Sequence, residues 1–128
     1  MWCNIGFGDE LTLARTQATK SNINQVIKYI AANDMMCKLG EKTTMGGNLI
    51  CSDKTPNSVV YAAELALTQF KNPYTGYNGI IISKRNIIDE DVGNVFISAS
   101  GSNVIVKACF KKPCSQENNQ GSTTIEIK

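Results

Sequence analysis

Five cysteines in a chain of 128 residues are the side chains with the most chemistry to offer. They stand at Cys3, Cys37, Cys51, Cys109 and Cys114, and the chain contains no histidine. Zinc sites that mix thiolate and imidazole are therefore excluded, and the spacings do not suit a four-cysteine site. Disulfides in an oxidising compartment account better for four of the five. Four cysteines allow three pairings. Nearness along the chain favours Cys37 with Cys51, 14 residues apart, and Cys109 with Cys114, 5 apart. In a chain-entropy description, a loop of the first size contributes roughly 3 kcal/mol. Cys3 is left over, as a free thiol, a partner-seeking thiol or a remnant of cloning.

Other reactive constellations find little support. Without histidine, neither a Ser–His–Asp nor a Cys–His arrangement can exist. The chain has no GxGxxG, GxxxxGK[ST] or GxSxG motif. Gly6-Phe7-Gly8 and Gly46-Gly47 read as turns. No catalytic, cofactor-binding or metal-binding residue is assigned, and no enzymatic activity is expected. Asp89-Glu90-Asp91 is the one run whose carboxylates suit a hard cation such as Ca²⁺, but a solvated surface loop is the simpler reading. Lys84, Arg85, Lys107, Lys111 and Lys112 could gather on one side of a sheet and neutralise phosphates. Phe110 is the only aromatic among them, so solubilising lysines are favoured over nucleic-acid binding. A net charge of +2 is too small to imply a polyanionic partner by itself.

The elements that must position these residues begin with one long helix. Residues 9–32 (DELTLARTQATKSNINQVIKYIAA) contain neither Gly nor Pro. Asp9 is a suitable N-cap, Asn33-Asp34 a suitable end, and the span is about 35 Å. Its apolar residues fall into two groups. Ile23, Val26, Ile27 and Ile30 are bulky and are expected to form the helix–sheet core. Leu11, Ala14 and Ala18 lie on another side, either solvated or packed on copies of the same protein. Residues 35–57 are Gly-, Lys-, Thr- and Asn-rich and read as a loop. Ser58 is expected to cap a second helix carrying Val59, Ala62, Ala63, Ala66, Leu67 and Phe70 at three- and four-residue intervals, which Asn72-Pro73 stops.

Strand signals follow. Residues 79–83 are continuous and β-branched, as in a strand buried on both faces. Residues 95–100 and 103–110 form a hairpin pattern about Gly101, where a positive φ is expected. In the second, Val104, Val106 and Ala108 alternate with Ile105, Lys107 and Cys109. Residues 123–128 complete the set, with Ile125 and Ile127 alternating with polar residues. The expected architecture is α+β, a long N-terminal helix packed on a mostly antiparallel sheet of about four strands. No run of 18 apolar residues is present. Residues 1–8 read as a flexible N-terminus or cloning remnant, and 9–128 as one domain.

Three features carry a resemblance to the globular domain of type IV pilins and pseudopilins. They are the helix pattern ARTQATKSNINQVIKYIAAN, the segment KNPYTG at residues 71–76, and the ending VFISASGSNVIVKACF…STTIEIK with its cysteine pair. The resemblance spans about residues 9–128 and implies a pilin-like fold and a structural subunit of a type IV pilus. Its setting would be the bacterial cell surface, with the inner membrane before assembly, and its roles adhesion or motility. It implies a homopolymer built through the N-terminal helix and anchored only by an apolar N-terminal segment. The chain as given lacks that segment, so a shortened, monomeric domain is expected. Calcium in a loop near the strands, known for some pseudopilins, is the analogy for Asp89–Asp91. The alternatives are a secreted monomeric binding module (adhesin or inhibitor) and a pseudopilin of a type II secretion system.

Overall fold

A computed structural model describes residues 2–127, with side chains from Glu10 onward. Cys3 and Lys128, to which expectations were attached above, lie outside the described side chains. The first element, α1, runs from Trp2 to Lys38 without interruption, 37 residues or about 55 Å. Both ends correct the sequence expectation. At the front, the backbone is helical through Gly6, Gly8 and Asp9, so Gly6-Phe7-Gly8 is not a turn and Asp9 is not an N-cap. At the back, Asn33 and Asp34 lie within the helix because their side chains are buried and paired. Asn33 donates from Nδ2 to Tyr29 O (2.7 Å) and accepts at Oδ1 from Met45 N–H (2.9 Å). Asp34 pairs with Lys38 (3.0 Å) and with Lys54. Tertiary partners thus override the turn preference of both residues. Gly40, at φ +106°, ends the helix, with Gly40 N–H donating to Cys37 O and Glu41 N–H to Met36 O, the Schellman pattern.

The packed side of α1 is a stripe with alternating three- and four-residue steps. Thr16, Thr19, Ile23, Val26, Ile30 and Asn33 are buried on it, and half-buried Cys37 continues it. The two threonines escape a search for apolar periodicity. Each returns its hydroxyl to the helix, Thr16 to Thr12 O (2.8 Å) and Thr19 to Arg15 O (2.9 Å), so its methyl can be buried at no polar cost. Ile27 sits at the margin, half-buried against the core rather than within it.

Residues 35–57 are more structured than a loop. β1 (Thr43–Thr44) and β2 (Leu49–Ile50) pair antiparallel around a 3-10 turn at Met45–Gly47. Helix α2 spans Pro56–Ala66. Thr55, not Ser58, is its N-cap: Thr55 Oγ1 accepts from Ser58 N–H (3.1 Å) and Ser58 Oγ accepts from Thr55 N–H (2.8 Å). This reciprocal box, with Pro56 at the first helical position, begins the helix two residues before the sequence cue.

The main sheet has the order β3 (Ile80–Ile82), β4 (Val95–Ser100), β5 (Asn103–Cys109), β6 (Gln120–Glu126). The fold is α+β, with β4–β5 and β5–β6 antiparallel and β3–β4 parallel. β3 is an edge strand, with Ile81 and Ile82 half-buried, and not a strand buried on both faces. The strand buried on both faces is β4. Val95, Ile97, Val104, Val106 and Ala108 turn inward to meet α1 and α2, forming the core with Leu49, Val59, Ala63 and Leu67. On the other face Phe96 is fully buried, and the Arg85 guanidinium lies 5.0 Å from its ring centre.

Because Ile30 is fully buried between helix and sheet, Ile30→Ala is expected to cost about 2–5 kcal/mol in denaturant unfolding. Exposed Ala14 lies off the packed stripe, so Ala14→Ser should change stability by no more than about 0.5 kcal/mol.

Candidate functional site

At its N-terminal end the packed stripe starts at Thr16, and there α1 leaves the domain through a collar of side chains. Arg15 lies over the Tyr74 ring (5.7 Å) and Lys20 over the Phe110 ring (5.4 Å). Tyr74 OH donates to Phe110 O (2.6 Å), and Thr16 Oγ1 stands 3.5 Å from the same hydroxyl. One tyrosine thus joins the helix, the segment that follows α2, and the loop after β5. Beyond the collar every described side chain of α1, from Glu10 to Ala14, is exposed, with Leu11 at 43% and Leu13 at 58%. Leu11 and Ala14, on the weak face noted in the sequence, do not meet the core, and Ala18 is half-buried beside the packed stripe.

Tyr74 is held by Asn72, whose amide is buried. Its Nδ2 donates to Val92 O (2.9 Å) and to Asn94 Oδ1 (2.8 Å), and its Oδ1 accepts from the N–H groups of Tyr74 (2.7 Å) and Thr75 (3.3 Å). The opposing residue is Gly93, at φ +89°, where an added Cβ would stand 2.2 Å from Asn72 Oδ1. The Asn-Pro-Tyr-Thr-Gly segment is therefore pinned to the turn that leads into β4.

That turn contains the acidic run, which is not a freely solvated loop. Asp89–Asp91 forms a 3-10 turn with Asp91 buried. Asp91 accepts both Arg85 guanidinium donors (2.6 and 2.7 Å) and the Ile88 N–H (2.8 Å). The Arg85 hydrogen bond, reinforced by the Ile88 N–H and the opposite charge, lowers the Asp91 carboxyl from its ordinary value against the opposing effect of burial. Asp89 Oδ1 accepts from Cys114 N–H (2.8 Å), tying the turn to the Cys109–Cys114 disulfide. Among the described residues no group of three or more Cys, Asp or Glu side chains is arranged to hold a metal ion. Both Asp91 oxygens already serve Arg85, which leaves the run poorly suited to Ca²⁺.

The basic residues do not form one patch. Arg85 is taken by Asp91, and Lys107 Nζ donates to Arg85 O (2.9 Å). Lys111 and Lys112 instead line a cavity of about 470 Å³ beside α1, with Thr12, Tyr74, Thr75, Asp89, Glu90 and Val92. Two carboxylates, Asp89 and Glu90, line it together with the two lysines, which does not favour a polyanion.

The other disulfide, Cys37–Cys51, ties the last turn of α1 to the β1–β2 hairpin. The sequence singled out all four of these cysteines, but nothing in it marked Asn72, Gly93 or the Arg85–Asp91 pair as structural pins. The Asn72-Pro73 cue reads only as a helix stop, and the contact of Asn72 with the turn at Val92 spans about twenty residues of chain.

Three outcomes are expected. Asn72→Ala should cost about 2–4 kcal/mol, because it removes the side-chain partner of Val92 O, Asn94 Oδ1 and the Tyr74 N–H. Cys51→Ser should cost about 3 kcal/mol through the longer loop, read by urea unfolding. The Asp91 contribution is present above the ordinary aspartate range and is lost as pH falls through the lowered value. Thermal midpoints of the natural chain and Asp91→Asn should therefore differ at neutral pH and converge in strong acid.

No protein-family model matches this chain, and neither the curated proteins nor the solved structures give a match.

Proposed function

We propose that this chain is the globular domain of a type IV pilus subunit, a structural protein of the bacterial cell surface rather than an enzyme. The observation that carries the reading is the division of α1. One continuous helix packs on the sheet from Thr16 onward, and the side chains of residues 10–14 are exposed beyond the collar. A helix that a single domain covers for only part of its length offers the rest to neighbours. Exposed Leu11 and Leu13, with the small Ala14, suit close packing between parallel helices. Most of the assembly energy would come from an apolar segment preceding them in the full protein.

The α+β arrangement and the two disulfides support the same reading. Disulfides persist in oxidising surroundings such as the cell exterior. No helix among the described residues is long and apolar enough to cross a membrane. The described part of the α1 face buries too little for a stable interface, so the isolated domain is monomeric at micromolar concentration. Adhesion or motility would be carried by the surfaces away from α1. A secreted binding module is the second reading, favoured by the cavity beside Tyr74.

The test is to express a form carrying an apolar N-terminal segment in a host with pilus assembly machinery. Filaments that contain this domain, and that are lost on Leu13→Glu while the isolated domain stays folded, are the expected result. Release of the protein as a soluble monomer would favour the binding module.

A further inference from the structure

The two edges of the main sheet are built differently. β3 is three residues long, and the chain beyond it stays on the sheet, with Ser83 N–H donating to Ile97 O. β6 is seven residues long (QGSTTIE), and among the described residues it packs mainly on β5, α1 and the short turn before it. Edges of that length are ordinarily blunted by lysine, proline, a bulge or a covering element. β6 contains no Lys, Arg or Pro, its single charged residue, Glu126, stands at its last position, and its seven residues pair with β5 in unbroken register. Gln120, Ser122, Thr123, Thr124 and Glu126 are all exposed.

The hydrogen-bond phase of β6 is fixed at both ends. Phe110 N–H donates to Asn119 O (2.7 Å) and Ile127 N–H to Ser102 O (3.0 Å). In an antiparallel ladder the bonded residues alternate, so odd-numbered backbone groups of β6 face β5. Those of Ser122 and Thr124 face away from it.

We propose that β6 is a pairing edge and that its partner is β6 of a second copy, joined antiparallel about a two-fold axis at Thr123. Thr123 is the midpoint of the strand, so this register overlaps all seven residues. It sets outward-facing Ser122 against outward-facing Thr124 of the other copy, which is the pairing the hydrogen-bond phase requires. Glu126 then stands opposite Gln120 rather than another Glu126, so no like charges meet directly. Short hydroxyl side chains fill the centre, and Ser–Thr and Thr–Thr pairs are favourable across strands. The contact spans about 23 Å of strand and buries less than the roughly 1,200 Å² of a stable complex. It is therefore transient between free copies and adds up where many are presented together.

The register makes the test specific. Two Thr123 residues face each other as a non-hydrogen-bonded pair, with Cα atoms about 4.5 Å apart, within the range a disulfide bridges. The full chain carrying Cys3→Ser, to remove the leftover thiol, is given Thr123→Cys, Ser122→Cys or Thr124→Cys and oxidised at about 1 mM. Non-reducing electrophoresis follows dimer formation. Thr123→Cys is expected to dimerise several-fold faster than the other two. Adding Thr124→Pro, which removes an outward N–H and leaves the β5 ladder intact, should abolish that advantage. Thr124→Lys should do the same without a change of backbone. Equal rates at the three positions, or a Thr123→Cys rate that neither Thr124 variant lowers, would overturn the proposal.

Discussion

The structure depends on one contact: the stripe that α1 lays on the inward face of the sheet. Its steps of three and four residues, from Thr16 through Ile23, Val26 and Ile30, keep one side of the helix facing a layer built from β4, β5 and β6. The described side chains upstream of that stripe, Glu10 to Ala14, are positioned by it without being covered by it. The same helix therefore contributes to the core from Thr16 onward and leaves residues 10–14 exposed ahead of it. The residues at the transition, Arg15, Thr16 and Lys20, meet Tyr74 and Phe110, so the exit point is braced by cation–ring contacts and a hydroxyl pair rather than left to bend.

The irregular parts of the chain are secured by pins of a different kind. Residues 39–55 bury only Met45 and Leu49 among their apolar side chains, and the segments 71–79 and 83–94 around β3 only Val92, so burial alone would not order them. In the first, Asn33, Asp34 and the Cys37–Cys51 disulfide connect the end of α1 to the small hairpin and to Lys54. In the second, Asn72 against Gly93 and Asp91 against Arg85 fasten two turns to each other and to the outer face of β4. Cys109–Cys114 and the Asp89 bond to Cys114 N–H extend that assembly to the loop after β5. No buried side-chain nitrogen or oxygen among the described residues lacks a partner, which is what lets so many polar groups sit inside a small domain.

Where periodicity and chemistry agree, the fold was legible from the sequence. The bulky half of α1, the β4–β5 hairpin about Gly101 and the alternation of Val104, Val106 and Ala108 follow from apolar spacing. What was not legible has physical causes. Thr16 and Thr19 are core residues that look polar until their hydroxyls bond backward to the helix. Asn33 and Asp34 look like helix stops because their partners, Met45 and Lys54, are distant in sequence. The parallel pairing of β3 with β4 depends on how the chain crosses between them through residues 83–94, and no local pattern encodes that. The acidic run looked solvated because the arginine that neutralises Asp91 lies six residues earlier, in a stretch without periodicity.

The division of α1 into a packed and an uncovered part is the claim on which both the fold and its proposed use rest. Amide hydrogen exchange along the helix measures it directly. Amides from Thr19 to Cys37 should exchange only through global unfolding, while those from Glu10 to Ala14 should exchange through local opening, orders of magnitude faster. Equal protection over both parts in the isolated chain would show that something covers the N-terminal arm, and would contradict the account.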